Sequence, residues 1–143
     1  MANALPATML LVEDNEMDVL IFKRALRKLG VEQPLTVVHD GLEALAVLRG
    51  DEGPAPVNRP NIIVLDLNMP RMSGIEFLDQ LRADPALHDL IVFVLTTSDA
   101  PRDKREAYQR NVAGYLVKSI SGQGFAETVD MLGRFVRLVD LPA

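Results

Sequence analysis

The sequence contains no cysteine, which removes disulfides, zinc–thiolate sites and thiol nucleophiles from consideration. Positive charge is in deficit, with 15 Lys and Arg against 20 Asp and Glu and a net charge of −5. The basic patch that a nucleic-acid binder needs is therefore missing. Met1 to Pro6 has no basic residue and no long apolar run, so it does not read as a signal peptide. No apolar stretch approaches the roughly 20 residues of a membrane span. These absences predict a cytoplasmic protein that binds neither nucleic acid nor membrane. What is present is globular: 143 residues, 48% hydrophobic and 24% charged, enough for one domain with a proper core. There is no internal repeat and no low-complexity segment.

The most informative stretch is Ile62-Ile63-Val64-Leu65-Asp66-Leu67-Asn68-Met69-Pro70. Four aliphatic residues, three of them β-branched, predict a strand buried on both faces. Asp66 follows where Asn68 and Pro70 break the pattern, so it lies where a buried strand emerges into a loop. Thr8 to Val12 is a second such run, followed at once by Glu13 and Asp14. The spacing predicts a helix over Met17 to Leu29, stopped by Gly30, with Asp14 or Asn15 as its cap. A short strand over Leu35 to Val38 and a helix over Gly41 to Leu48 come next. Gly50 to Pro60, with three Pro and two Gly, reads as an exposed connection. Then follow a helix over Gly74 to Ala83, a strand over Leu90 to Leu95 running into Thr96, and an exposed helix over Pro101 to Asn111. Tyr115 to Val117 is the last strand, ahead of Lys118, and Phe125 to Leu141 the last helix. Five strands alternating with five helices imply an α/β fold, a doubly wound parallel sheet covered on both faces.

In such a sheet the carboxyl ends of the strands share one edge, so residues distant in sequence converge there. Glu13 and Asp14 follow the first strand, Asp66 and Asn68 the third, Thr96 ends the fourth and Lys118 follows the fifth. Each residue alone could be a cap, a turn former or a solvated charge. Packed together, Glu13, Asp14 and Asp66 would repel, which raises a pKa or binds a cation. Oxygen ligands without His or Cys favour magnesium. Lys118 could pair with Asp66 or grip a phosphoryl oxygen, and the Thr96 hydroxyl could donate to the same group. The set suits an Asp nucleophile attacking phosphorus.

An acidic pair after the first strand, Asp after the third, Thr after the fourth and Lys after the fifth resembles the receiver domain of two-component response regulators. The likeness runs from about Met9 to Leu138 and includes Leu65-Asp66-Leu67-Asn68-Met69-Pro70. It implies a flavodoxin-like (βα)5 sheet of strand order 2-1-3-4-5. It also implies a single receiver domain over residues 1–143, with 1–7 as a short N-terminal extension and no output domain. Asp66 would accept a phosphoryl group from a histidine kinase or phosphotransfer protein. Asp14 and Asp66 would ligate Mg2+ through side chains and Asn68 through its backbone carbonyl, with Glu13 holding a metal-bound water. Thr96 and Tyr115 would move together as a switch, though a half-buried strand tyrosine is the alternative for Tyr115. Such a module assists only its own phosphorylation and dephosphorylation, so it is not expected to be an enzyme in the ordinary sense.

Three features resemble the small stand-alone regulators of phytochrome-type kinases: the Pro-rich insertion, the Asp14-Asn15-Glu16-Met17-Asp18 opening, and Lys118-Ser119. Most receivers carry Pro after the Lys, often in a cis bond. Ser119 argues against cis here, since a non-proline cis bond costs about 2.5–4 kcal/mol.

In the last helix, Phe125, Val129, Leu132, Val136 and Val139 form a stripe able to face the sheet. Met131, Phe135 and Leu138 form a second stripe about 100° away. It predicts a homodimer interface unless the Gly50 to Pro60 loop or the tail covers it. His39 and His88 lack a ligand pattern and read as surface residues. Ser98 and Asn68 flank the path of an attacking water. Three other functions compete. An aspartyl-phosphate phosphatase would want an acid where Asn68 stands. A nucleotide- or flavin-binding sheet would want a Gly-rich turn where Glu13-Asp14-Asn15 stands. A degenerate receiver would act by phosphate-independent binding.

Overall fold

The computed structural model describes residues 8–30, 35–50, 60, 62–118 and 122–138. Within these, the apolar runs become β1 (Met9–Val12), β2 (Leu35–Val38), β3 (Ile62–Leu65), β4 (Val92–Thr96) and β5 (Gly114–Val117). The amphipathic segments between them become α1 (Glu16–Lys28), α2 (Gly41–Arg49), α3 (Gly74–Ala83), α4 (Pro101–Gln109) and α5 (Gly122–Leu138). All strand pairs are parallel and the sheet order is β2-β1-β3-β4-β5. This is the flavodoxin-like doubly wound arrangement expected from the alternation of elements.

The period of two along each strand divides the core into two layers. Leu10, Val12, Ile63, Leu65, Val92 and Val94 pack with Leu45 of α2, Phe77 and Leu81 of α3 and Ala107 of α4. Met9, Leu11, Ile62, Val64, Phe93 and Leu95 pack with Phe22 and Leu26 of α1 and Phe125, Val129 and Leu132 of α5. Strands β1, β3 and β4 are buried at every position because both of their faces are covered, whereas β2 and β5 are partly exposed edges.

Local chemistry sets where each helix starts. Asn15 caps α1 by accepting the Asp18 amide at 3.1 Å. Asp40 caps α2 through the Glu43 amide at 2.9 Å. Ser73 and Glu76 form a reciprocal capping box on α3, and Pro101 occupies the first turn of α4, where its missing N–H costs nothing.

Several boundaries differ from the sequence expectation. The Asn15 cap starts α1 at Glu16 rather than Met17, with Asp18 as the third helical residue. Strand β4 starts at Val92, not Leu90, and includes Thr96. The Arg82 guanidinium holds the His88 and Leu90 carbonyls at 2.7 Å each, so Leu90 belongs to the turn before the strand. Helix α4 stops at Gln109 because Asn111 takes φ 60°, a left-handed conformation that Asn tolerates better than most residues. Helix α5 starts at Gly122 rather than Phe125. The 1–7 extension, most of the Gly50 to Pro60 connection, Ser119, and the Val139 and Leu141 positions lie outside the described residues.

One glycine is required by close approach. A Cβ on Gly74 would lie 2.6 Å from the Asp66 carbonyl oxygen and 2.7 Å from the Leu67 Cα, both backbone atoms. Gly74 also donates its amide to the Leu67 carbonyl at 2.9 Å, so the start of α3 is pressed against the end of β3. Gly74→Ala should therefore lower stability by about 1–3 kcal/mol through overpacking, read as a shift in the urea midpoint. An unchanged midpoint would show that the loop after β3 is free to shift.

Candidate functional site

Backbone hydrogen bonds beyond the sheet ladder bring the strand ends together. The Glu13 amide donates to Val38 at 2.9 Å, the Asp66 amide to Val12 at 3.1 Å and the Lys118 amide to Thr96 at 2.6 Å. The side chains that follow β1, β3 and β5 are thereby gathered at one edge. Glu13, Asp66, Thr96 and Lys118 are all buried, while Asp14 and Asn68 are exposed. Carboxylate oxygens of Glu13, Asp14 and Asp66 lie within 4.8 Å of one another. This trio is the cluster expected from the sequence.

Lys118 is the hub of the site. Its ammonium donates to Glu13 Oε1, to Asp18 Oδ2 at 2.9 Å and to Asp66 Oδ2 at 3.4 Å. Its three N–H donors thus meet three carboxylates. Burial alone would lower the Lys118 pKa, but the Asp18 and Glu13 hydrogen bonds and the Asp66 charge hold it above its ordinary value. The ammonium therefore stays charged at neutral pH. Burial pushes the Glu13 carboxyl up to about 7, with the Lys118 hydrogen bond opposing the rise and the Asp66 charge adding to it. The second Glu13 oxygen accepts the Asn15 amide at 3.1 Å. Asp66 Oδ1 accepts the Asn68 amide at 3.2 Å, closing a tight turn after β3.

The Thr96 hydroxyl is buried and has no hydrogen-bond partner among the described residues. An orphaned hydroxyl at a buried strand end is costly and is relieved by a ligand that supplies an acceptor. Tyr115 donates its hydroxyl to the Ser98 carbonyl at 2.8 Å, which links β5 to the loop after β4. The Ser98 hydroxyl is itself bonded to the Asp103 carboxylate of α4.

Three contacts at this edge were not expected from the sequence. Asp18 reaches Lys118, and the cue was its position one helical turn after the acidic pair. Arg71 donates to Asp40 Oδ2 at 2.7 Å and sits at φ 64°, a backbone state costing a non-glycine residue about 1–2 kcal/mol. Burial would raise the Asp40 carboxyl, but the Glu43 amide and the Arg71 guanidinium hold it below its usual value. The exposed His39 lies 3.3 Å from Glu16 and 3.6 Å from Glu43, bridging α1 and α2. His88 is exposed in the turn before β4. The stripe on α5 is corrected at one position. Met131 is 40% and Leu138 84% exposed, but Phe135 packs edge-on to Phe93 with ring centroids 5.0 Å apart. Phe135 therefore belongs partly to the core. Among the described residues no helix is long and apolar enough to cross a membrane.

The response regulator receiver domain family matches residues 9–130. The response regulator Rcp1 of Synechocystis sp. is 36% identical over 141 residues, covering 96% of this chain and 95% of that protein. A crystal structure of the Mn(2+)-bound form of Rcp1 matches with a TM-score of 0.90 at 34% identity, covering 96% of this chain and all of that one. The phosphorylated cyanobacterial phytochrome response regulator RcpA matches with a TM-score of 0.89 at 34% identity, covering 96% and 99% of the two chains.

The raised Glu13 pKa has a consequence for the metal-free protein. Between about pH 4.5 and pH 7 the folded state holds a proton on Glu13 that the unfolded state has released. Glu13 thus stabilises the fold below that window, and the contribution is lost as pH rises through it. Without divalent cations, the urea midpoint of wild type relative to Glu13→Gln should fall as pH is raised from about 4.5 to about 7.5. Parallel profiles for the two proteins would contradict the assignment.

Proposed function

The chain belongs to the response regulator receiver domain family, whose members are signalling phosphoacceptors, and from that premise we propose that Asp66 accepts a phosphoryl group from a histidine kinase or phosphotransfer protein. The observation that carries this reading is the buried Asp66 carboxylate, paired with Lys118 and clustered with Glu13 and Asp14. In the transfer, an Asp66 oxygen forms a bond to phosphorus as the phosphorus–nitrogen bond of the donor phosphohistidine breaks. The electron pair leaves with the imidazole nitrogen, which takes up a proton.

The donor set fits a hard divalent cation: carboxylate oxygens only, converging at one edge, with exposed Asp14 giving it access to water. Asp14 and Asp66 would hold Mg2+ with the Asn68 carbonyl, and Glu13 would hold one of its waters. Bound there, the ion neutralises charge on the phosphoryl oxygens. Lys118 places a second positive charge beside the acceptor, and the orphaned Thr96 hydroxyl donates to a phosphoryl oxygen. The Thr96 movement repacks the loop that Tyr115 holds through Ser98, so the surface of α4 and β5 becomes the output. Similarity to Rcp1 and RcpA over nearly their whole lengths supports a phytochrome-type kinase as donor.

The direct test is intact-mass spectrometry after incubation with magnesium and a small acyl phosphate. Wild type should gain a single phosphate-sized mass and Asp66→Asn none. Magnesium binding without a mass gain would replace this reading with phosphate-independent binding on a receiver fold.

We further propose that the exposed Met131 and Leu138 of α5 form an isologous contact with a second copy of the chain. Two apolar side chains on one outer helix face would be covered together by a two-fold pairing. Sedimentation of wild type at high concentration should show a dimer, and Met131→Asp with Leu138→Asp should yield monomers. A wild type that is monomeric with and without phosphorylation would remove the idea.

A further inference from the structure

The Lys118 ammonium lies closer to Asp18 than to the acceptor: 2.9 Å against 3.4 Å. Asp18 also stands apart from the trio of Glu13, Asp14 and Asp66 that can share a cation. It comes from a different element, the first turn of α1, whose start is fixed by the Asn15 cap on the Asp18 amide. A helical side chain leans toward its own N-terminus, which directs Asp18 back over the strand ends. Its side chain is 22% exposed, against 5% for Lys118, so it closes the outer side of the ammonium's cage.

A cation in the trio would compete with Lys118 for two of its three partners, Glu13 and Asp66, and would repel the ammonium. A lysine carries a flexible four-carbon stem with about 2 kcal/mol of rotamer entropy. Without a remaining anchor it would leave the site at the stage when its charge is needed. Asp18 is the carboxylate of the cage that the cation does not take.

We propose that Asp18 is a positioning residue that keeps the Lys118 ammonium beside Asp66 after a divalent cation has loaded the trio. Resting on the phosphoacceptor reading above, this adds a fourth carboxylate to the site with a separate task. One N–H of Lys118 stays on Asp18 while another turns from the carboxylates to the incoming phosphoryl oxygen. The electrostatic contribution of Lys118 is thus in place before transfer begins, and preorganised charge is what lowers such barriers.

A role in α1 itself must be separated from this. An acid in the first turn stabilises any helix through its dipole, and that effect is indifferent to Lys118. Self-phosphorylation at saturating magnesium should therefore be compared for Asp18→Asn in the wild-type and the Lys118→Ala backgrounds. In the wild-type background the rate constant should fall about 3- to 10-fold, with Asp18→Glu restoring most of it. In the Lys118→Ala background the same substitution should change the rate by less than about twofold. An equal factor in both backgrounds would overturn the proposal. A second readout is independent of activity and of the Lys118→Ala fold. In isotope-labelled protein the side-chain ammonium resonance of Lys118, assigned by its loss in Lys118→Arg, should persist through a magnesium titration in wild type. In Asp18→Asn it should broaden away as magnesium is added. Persistence in both proteins would show that Lys118 needs no such anchor. If wild type takes up no phosphoryl group at all, the phosphoacceptor reading fails, and the resonance titration still decides the role of Asp18.

Discussion

Five charged groups meet at the edge of this sheet at a cost that only their mutual arrangement offsets. Glu13, Asp66 and Lys118 are buried, and a buried charge is expensive unless it is paired and hydrogen-bonded. One ammonium serves Glu13, Asp18 and Asp66, and Asp14 adds a further carboxylate to the cluster. The local sum, four carboxylates against one ammonium, is negative even with Glu13 protonated. The site is held in tension: Lys118 satisfies it well enough to fold, and the residual negative charge still favours a cation. The raised Glu13 pKa records the same tension from the carboxylate side. The backbone explains why it is tolerated. Amide hydrogen bonds fix the backbone of Glu13, Asp66 and Lys118 to the neighbouring strands, so the strand ends that carry these charges cannot move apart without breaking the sheet.

Much of this was legible in the sequence because the sheet is parallel and covered on both faces. Such strands are continuously apolar, and the first polar residue after each run marks the edge where ligands bind. Glu13, Asp66 and Lys118 were found that way, and Thr96 from the break at the end of its run. Asp18 was not, for a definite reason. The expected helix began at Met17, which left the capping residue ambiguous between Asp14 and Asn15. With Asn15 as the cap, Asp18 is the third helical residue and reaches Lys118, a contact between α1 and the end of β5 that residue spacing does not encode. Phe135 was misplaced because a helical stripe about 100° from the core face grazes it rather than clearing it, and Phe93 on β4 is large enough to reach across. The tethers Arg71–Asp40 and Arg82 to the His88 and Leu90 carbonyls depend on loop geometry, which residue patterns do not encode.

The proposed output surface has the physical properties a switch needs. Helix α4 buries Ala107 alone, so moving it exposes little apolar area and costs little. Its two ends are held differently. At the C-terminal end Arg110 pairs with Asp79 at 2.6 Å, and Arg82 donates to the Arg110 and Asn111 carbonyls at 2.8 and 3.0 Å. At the N-terminal end the helix has no side-chain cap bond, and the contact that reaches it runs from Ser98 to Asp103. In the proposed switch the clamped end would act as the pivot and the Ser98 end as the part that travels. Ser98 is also where Tyr115 attaches, through its carbonyl. Thr96 stands two residues earlier on the same strand end, with its hydroxyl unpartnered. An acceptor placed near Asp66 would draw the Thr96 hydroxyl toward it. The loop would follow, and the Tyr115 bond would have to lengthen or move with the Ser98 carbonyl. Two hydrogen bonds, Tyr115 to Ser98 and Ser98 to Asp103, thus join the loop after Thr96 to the least buried of the described helices, the path along which the proposed switch would run. Of the two apolar layers, the one packed on α1 and α5 contains no part of this path, and the other is touched through Ala107 and Tyr115.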